Sequence, residues 1–209
     1  ERGPHISYAN CGLPYYIGGV IRERDRLFVQ TPERFSARFR IDLRLQSEVT
    51  RLDLAERRVE VRDLKTGETY TEGYDSLVLS PGAEPIRPPI PGIDLPGIFT
   101  LRSVQDADRI AQFIGHRRPR RALVVGAGFI GLEMAENLHH RGMGVTVVEL
   151  AAQVMAPLDF EMAAEVHQHL RAKKVQLYLN EAVTSFSEEG RHLAAHLAGG
   201  RSLSADLVV

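Results

Sequence analysis

One six-residue stretch limits the possible folds of this chain more than any other. The letters G-A-G-F-I-G at positions 126–131 match the pattern G-x-G-x-x-G. An apolar run that predicts a strand (122–125) precedes the stretch, and a pattern of helical period (129–141) begins inside it. A second predicted strand (145–149) follows and ends in Glu149. The motif alone is a weak signal, but in this context it predicts a strand–helix–strand unit that binds a dinucleotide.

Each glycine of the motif has a separate physical role. Gly126 permits the tight turn, Gly128 lets a pyrophosphate approach the backbone, and Gly131 lets the helix pack closely on the strand. The amides and dipole of the helix N-terminus then favour phosphate, and Glu149 accepts hydrogen bonds from the adenosine ribose. Residues 150–155 contain no Arg or Lys to meet a 2′-phosphate, so we expect NADH rather than NADPH. The alternative is that the glycines serve helix–strand packing only.

The chain outside this unit predicts an α/β protein with two domains. Alternating segments at 49–54, 59–64 and 69–72 predict three antiparallel strands in a meander, and 75–80 predicts a buried strand. Thr31 and Ser103 are candidate N-caps of two helices. Five prolines between 85 and 97 argue against regular structure there. We therefore predict a first domain at 1–97, which ends in a proline-rich linker, and a second domain at 98–209.

Composition excludes several classes of protein. The chain has 209 residues, with 26 Lys and Arg against 27 Asp and Glu, so no net charge attracts nucleic acid or an anionic membrane. No apolar run approaches the ~20 residues of a membrane span, and the first residues do not resemble a signal peptide. One cysteine excludes an internal disulfide. His167 and His169 face different sides of a predicted helix, so they are poor partners for binding one metal ion. We expect a cytoplasmic protein without a metal site.

The single cysteine, Cys11, allows two interpretations. It lies in S-Y-A-N-C-G-L-P-Y-Y (7–16), where small polar residues precede a helix-start signal. The amides and dipole at a helix N-terminus stabilise a thiolate, and a thiolate attacks disulfides, persulfides and peroxides. Free cysteines are also often inert and buried. The residues alone leave both interpretations open.

Five segments, in this order, resemble the pyridine nucleotide-disulfide oxidoreductases. Within that family the chain is most similar to the single-cysteine branch of coenzyme A-disulfide reductases, NADH-dependent persulfide reductases and NADH oxidases. The resemblance implies a partial FAD-binding domain with an antiparallel β-meander, followed by a Rossmann-type NAD-binding domain. The segments are S-Y-A-N-C-G-L-P-Y-Y-I-G-G (7–19), T-P-E-R-F (31–35), L-V-L-S-P-G-A-E-P (77–85), I-P-G (90–92) and V-V-G-A-G-F-I-G-L-E-M-A-E-N-L (124–138).

The resemblance also implies cofactors, FAD and NADH, and the residues that contact them. Cys11 corresponds to the redox nucleophile beside the flavin, Phe129 to an aromatic ring that covers its nicotinamide face, and Glu133 to an acid near the nicotinamide. Glu1 corresponds to the acid that holds the FAD ribose, and 80–83 to a second flavin-contacting turn. Besides the motif glycines and Glu149, the implied contacts are Glu1, Ser7, Asn10, Ser80, Pro81, Gly82, Ala83, Phe129 and Glu133.

Two departures qualify this resemblance. The first glycine-rich unit of the family would precede Glu1, and a second flavin motif and a dimerisation domain would follow Val209. We therefore expect a central fragment of a homodimeric enzyme, one that by itself binds FAD poorly and is inactive.

For the intact enzyme we predict electron flow from NADH through FAD to Cys11, which reduces coenzyme A disulfide, a persulfide or a polysulfide. One alternative is an NADH oxidase or peroxidase in which Cys11 cycles through sulfenic acid. Another is a non-catalytic nucleotide-binding module with a structural cysteine. The predicted partner is a small sulfur compound, and neither nucleic acid nor a membrane.

Overall fold

The computed structural model describes all residues, 1–209, and contains two compact units. The first comprises 1–9 and 25–83, and the second comprises 10–24 and 84–209. The helices are α1 Leu13–Gly18, α2 Pro32–Phe39, α3 Val104–Arg117, α4 Phe129–His140 and α5 Phe160–Ala172. The strands are β1 Ser7–Tyr8, β2 Phe28–Gln30, β3 Ser47–Asp53, β4 Arg58–Asp63, β5 Thr69–Gly73, β6 Arg121–Val125, β7 Gly144–Val148, β8 Gln176–Tyr178, β9 Val183–Glu189, β10 His192–Leu197, β11 Ser202–Ala205 and β12 Leu207–Val208.

The first unit contains the predicted meander. Strands β3, β4 and β5 pair antiparallel in sequence order, with Val61 opposite both Val49 and Tyr70. Helix α2 starts as predicted, because the Thr31 side chain accepts a hydrogen bond from the Arg34 amide at 3.3 Å. Strands β1 and β2 form a separate antiparallel pair.

The predicted buried strand at 75–80 is wrong. These residues form no strand, and Val78 and Leu79 are 85% and 61% exposed. An apolar run of this kind is stable as a buried strand only when neighbouring strands pair with its edges and other layers cover its faces. No strand of the structure pairs with residues 75–80, so the run lies open to solvent.

The second unit is built on a four-stranded parallel sheet in the order β12-β6-β7-β8. The predicted strand–helix–strand unit is present as β6, α4 and β7. Three further strands, β9, β10 and β11, form an antiparallel sheet whose inner side chains join a common core with Leu123 and Val148. Helix α3 begins at the predicted Ser103, where Ser103 and Asp106 form a reciprocal capping box.

The proline-rich stretch at 85–97 contains no helix and no strand, as expected, but its second half packs against the second unit. Ile90, Ile93 and Leu95 pack against the core of the second unit, and the Phe186 amide donates to Pro91 O at 2.8 Å. Apolar side chains between the prolines explain this, because burying them stabilises the folded chain. The second unit resumes at Glu84, and the domain division at residue 97 stays a prediction.

None of the five helices combines the length and the apolar character that crossing a bilayer requires.

Candidate functional site: the glycine turn and the cysteine segment

The glycine turn has the geometry that its sequence predicts. It follows β6 and is held at its start by the Gly126 amide, which donates to Val148 O at 2.8 Å. Gly126 has φ +107°, a conformation that L side chains rarely adopt. A Cβ atom at Gly131 would lie 2.0 Å from Gly126 O, so helix and turn touch at this point. At Gly128, by contrast, a Cβ would meet nothing within 4 Å, and the backbone there is open to a ligand.

Helix α4 begins at this open side with amides available to an anion. Gly128 occupies its N-cap position, and no side chain caps the helix. The first intrahelical bond is made by the Leu132 amide to Gly128 O at 3.0 Å, which leaves the amides of 129–131 ahead of it. Uncapped amides and an open backbone suit a pyrophosphate, so the residues present fit the phosphates of a dinucleotide.

Glu149 is placed beside the turn but is already engaged with the backbone. Its Oε2 accepts from the Ala127 amide at 2.6 Å, and its Oε1 accepts from the Ala151 amide at 2.8 Å. Each carboxylate oxygen can accept more than one hydrogen bond, so ribose hydroxyls can be accommodated as well. The carboxylate thereby links the glycine turn to the segment that follows β7.

That segment, residues 150–158, is anchored at two further points. The Met155 amide donates to Ala127 O at 2.9 Å, and the Val154 amide donates to Nε2 of His167 at 3.1 Å. Burial, followed by the positive charge of Arg171, lowers the pKa of His167. In the sequence, the spacing of His167 and His169 indicates only a poor metal site. The spacing of His167 from Ala163 and Leu170, at i−4 and i+3, could have placed it on the inner face of α5.

Two predicted nicotinamide contacts lie on the first turns of α4. Phe129 is 64% exposed, and its ring is accessible to a flat ligand. Glu133, one turn later on the same helix, is half-buried. The roles of both residues toward a cofactor stay predictions.

Cys11 lies in a short 3₁₀ turn, Asn10–Gly12, immediately before α1, and its side chain is exposed. The interpretation of Cys11 as a buried thiol is therefore wrong, because this residue is accessible to solvent and small molecules. The neighbouring Asn10 is held through its side-chain oxygen, which accepts from Nη1 of Arg102 at 3.1 Å.

The segment that carries Cys11 is packed directly on the helices of the dinucleotide unit. A Cβ at Gly18 of α1 would lie 2.2 Å from Oδ1 of the buried Asn137 in α4. Tyr16 donates to Oδ1 of Asp108 in α3 at 3.2 Å, and Arg24 forms an ion pair with the same carboxylate at 2.9 Å. Burial and the neighbouring Asp108 raise the pKa of Tyr16. The structure thus brings the cysteine helix and the glycine-turn helix together, a packing that sequence reasoning did not predict.

The flavin contacts implied by resemblance are distributed differently. In the first unit, Glu1 is exposed and its Oε1 accepts from the Gly3 amide at 2.6 Å. Ser7 lies in β1, opposite Gln30 of β2. Residues 80–83 are exposed and have no regular structure. These exposed residues form no cavity that would enclose an FAD molecule, so they do not by themselves fit this cofactor, and we derive no chemical step from them.

Two curated relatives span most of this chain. It is 36% identical over 199 residues to coenzyme A disulfide reductase from Staphylococcus haemolyticus, covering 95% of this chain and 44% of the relative. It is 35% identical over 205 residues to NADH oxidase from Methanocaldococcus jannaschii, covering 98% and 45%. The chain therefore spans less than half the length of these relatives.

Solved structures agree with the fold. Reduced Bacillus anthracis CoADR-RHD matches with a TM-score of 0.95 at 50% identity, over 99% of this chain and 37% of that one. An NAD-dependent persulfide reductase from A. fulgidus matches with a TM-score of 0.93 at 36% identity, over 100% and 39%. The family model described as pyridine nucleotide-disulphide oxidoreductase matches residues 1–209. The glycine turn, the exposed cysteine and these matches lead to one conclusion: the chain belongs to the pyridine nucleotide-disulphide oxidoreductase family.

Proposed function

We propose that the protein containing this chain uses NADH to reduce a disulfide or persulfide, with Cys11 as the sulfur that exchanges with the substrate. The observation that carries this proposal is the placement of Cys11. It is exposed, and the helix that follows it packs on α4, the helix that starts at the glycine turn. A thiol reachable by substrate is thereby held on the same framework as the dinucleotide site.

The NADH site is assigned to residues of the second unit. The amides at the start of α4 bind the pyrophosphate, and Gly128 allows its close approach. Glu149 accepts from the adenosine ribose. Because 150–155 contain neither Arg nor Lys, no side chain of this segment offers a positive charge to a 2′-phosphate. The exposed ring of Phe129 offers a flat surface for the nicotinamide end.

The sulfur chemistry balances with one NADH per disulfide. The Cys11 thiolate attacks one substrate sulfur, so that the substrate S–S bond breaks, a mixed disulfide forms and the first thiol leaves. Two electrons from NADH then break the mixed disulfide, which releases the second thiol and regenerates the thiolate. Overall, RSSR, NADH and H⁺ give two RSH and NAD⁺. Coenzyme A disulfide and persulfides are the proposed substrates, because related proteins are named for acting on them.

FAD is the proposed cofactor of the whole protein, as the family resemblance implies, and when bound it would supply two-electron chemistry that side chains lack. Asn10, held by Arg102, and Ser7 flank the cysteine in the sequence and are proposed to line the flavin and substrate. A homodimer and a cytoplasmic location complete the proposal. A reducing compartment suits an exposed single thiol, which is not paired in a disulfide.

The test is Cys11→Ser in the full-length protein loaded with FAD. We expect NADH-driven release of thiol from coenzyme A disulfide to fall by at least about 10³-fold, because the hydroxyl is a far weaker nucleophile than the thiolate. Bleaching of the flavin by NADH should persist, because the variant leaves the dinucleotide site intact. Substrate turnover close to the wild-type rate in this variant would disprove the assignment of Cys11.

An NADH oxidase activity is the second candidate, because a 35% identical relative carries that name over 98% of this chain. In that case Cys11 would cycle through sulfenic acid, with oxygen or peroxide as acceptor. Parallel measurements of oxygen consumption and thiol release, each per NADH oxidised, separate the two activities. Oxygen uptake that accounts for all of the NADH would favour the oxidase.

A further inference from the structure

We propose that His167 is a positioning residue of the NADH site, one that acts by holding residues 150–158 against the glycine turn in its neutral form. The inference rests on the proposed function, since it assumes that NADH occupies this turn. His167 lies on α5 and does not belong to the glycine motif. Its effect on NADH would therefore pass through the segment that it holds.

The contact that His167 makes is buried and specific. Its side chain is 5% exposed, and Nε2 accepts a hydrogen bond from the amide of Val154, which is also buried. The ring of Phe160 stands edge-on to the imidazole at a centroid distance of 6.5 Å. A buried backbone amide that has no acceptor destabilises the folded state, because the amide has lost its hydrogen bonds to water and gained none in return. The segment therefore loses one of its anchors when the imidazole can no longer accept this hydrogen bond.

From Val154 the connection to the dinucleotide turn takes one residue. The adjacent Met155 amide donates to Ala127 O at 2.9 Å, and the Ala127 amide donates to Glu149 at 2.6 Å. Glu149 also accepts from Ala151, at the beginning of the same segment. Loosening 150–158 at His167 would thus loosen both the turn and the carboxylate proposed to hold the ribose. We expect the consequence to be weaker NADH binding, with the sulfur chemistry unaffected.

The hydrogen bond also defines the protonation state of the ring. The Val154 amide can only donate, so Nε2 must be unprotonated, and the proton of the neutral ring is on Nδ1. The imidazolium would place an N–H against an N–H and lose the contact. The charged group that acts on the ring is Arg171 on the same helix, while segment 150–158 and strand β8 carry no charged side chain. Acid should therefore weaken NADH binding through this residue.

Three variants in the full-length holoenzyme test the inference. His167→Leu fills the space without an acceptor, and His167→Gln restores an acceptor oxygen at a similar reach. His169→Leu is the matched control, because His169 lies exposed on the same helix. We expect the NADH dissociation constant, measured anaerobically by NADH fluorescence on protein whose flavin is already reduced, to rise about tenfold in His167→Leu. It should stay within about twofold of wild type in the other two, and KM for NADH should rise in His167→Leu with kcat unchanged.

A pH titration keeps the inference testable if His167→Leu does not fold. Between pH 8 and pH 5 the wild-type dissociation constant should rise, whereas that of His167→Gln, whose acceptor does not titrate, should rise less. Identical pH profiles for the two proteins, or wild-type affinity in a folded His167→Leu, would overturn the role of His167. Failure of the wild-type protein to bind NADH at all would instead overturn the proposed function.

Discussion

Two stretches of this chain look alike in sequence and differ completely in structure. Residues 122–128 read A-L-V-V-G-A-G, and residues 77–83 read L-V-L-S-P-G-A, so each is an apolar run that leads into a glycine-containing turn. In the first, Leu123 is 1% exposed and the turn is ordered around Gly126. In the second, Val78 is 85% exposed and no strand forms.

The difference lies in the neighbours that each run finds. Strand β6 is paired on one side with β12 and on the other with β7, and helices α3 and α4 belong to the same unit. Residues 75–80 pair with no strand. A strand of a parallel sheet has almost no stability apart from its ladders and its covering layers. The pattern therefore identifies a segment able to become a buried strand, while its partners decide whether it does.

The largest expected effect compares one leucine from each stretch. Leu123→Ala should lower the free energy of unfolding by about 2–5 kcal/mol, because it removes a fully buried side chain from a packed core. Leu79→Ala, at 61% exposure, should change it by less than about 0.5 kcal/mol. Chemical denaturation of the two variants checks this. Equal losses would mean that the 75–80 run is buried in solution and that the comparison is mistaken.

A second prediction concerns two glycines of the ordered turn. Gly131→Ala should cost about 1–3 kcal/mol of folding stability, because its Cβ would lie 2.0 Å from a backbone oxygen. Gly128→Ala should lower the folding stability by less than about 1 kcal/mol, because Gly128 is the N-cap of α4 and a Cβ there would meet nothing within 4 Å. Its effect should appear in NADH affinity, weakened roughly tenfold because the pyrophosphate can no longer approach the backbone. Thermal melting and NADH titration of both variants separate the packing role from the binding role.

The smallest effect concerns the hydrogen bonds that Asp206 accepts at the start of β6, in the ordered one of the two stretches. Burial acts to raise the pKa of Asp206, but hydrogen bonds from the Arg120 and Arg121 amides, and from His192, outweigh it and lower the pKa to about 2. Because the folded pKa lies below the unfolded one, this stabilisation is present above about pH 4 and is lost as the pH falls toward 2. Asp206→Asn should cost on the order of 1–2 kcal/mol at pH 7.

Denaturation at several pH values gives the check on Asp206. The stability gap between wild type and Asp206→Asn should shrink between pH 4 and pH 2. Asp94→Asn is the matched control, because the Asp94 side chain is exposed in its ion pair with Arg87 and such pairs contribute little. A gap for Asp206→Asn that stays constant down to pH 2 would contradict the assigned cause.

Sequence reasoning succeeded where the signal is local. The Ser103 and Thr31 caps, the meander and the strand–glycine turn–helix each depend on residues a few positions apart. It failed for 75–80 and did not predict the packing of Gly18 on Asn137 or the contact of His167 with Val154. These contacts join residues that are 119 and 13 positions apart, and no local pattern specifies the partner.

The order of the residues alone thus determined the dinucleotide turn, since glycine is the only residue with the backbone freedom that Gly126 needs and the small size that Gly131 needs. It also determined that the only thiol would precede a short helix. Only the tertiary structure decided that this thiol is exposed, that its helix packs on the helix of the turn, and that a buried imidazole holds the segment beside Glu149. Those outcomes depend on which distant surfaces exclude water from one another, and that is settled only when the whole unit packs.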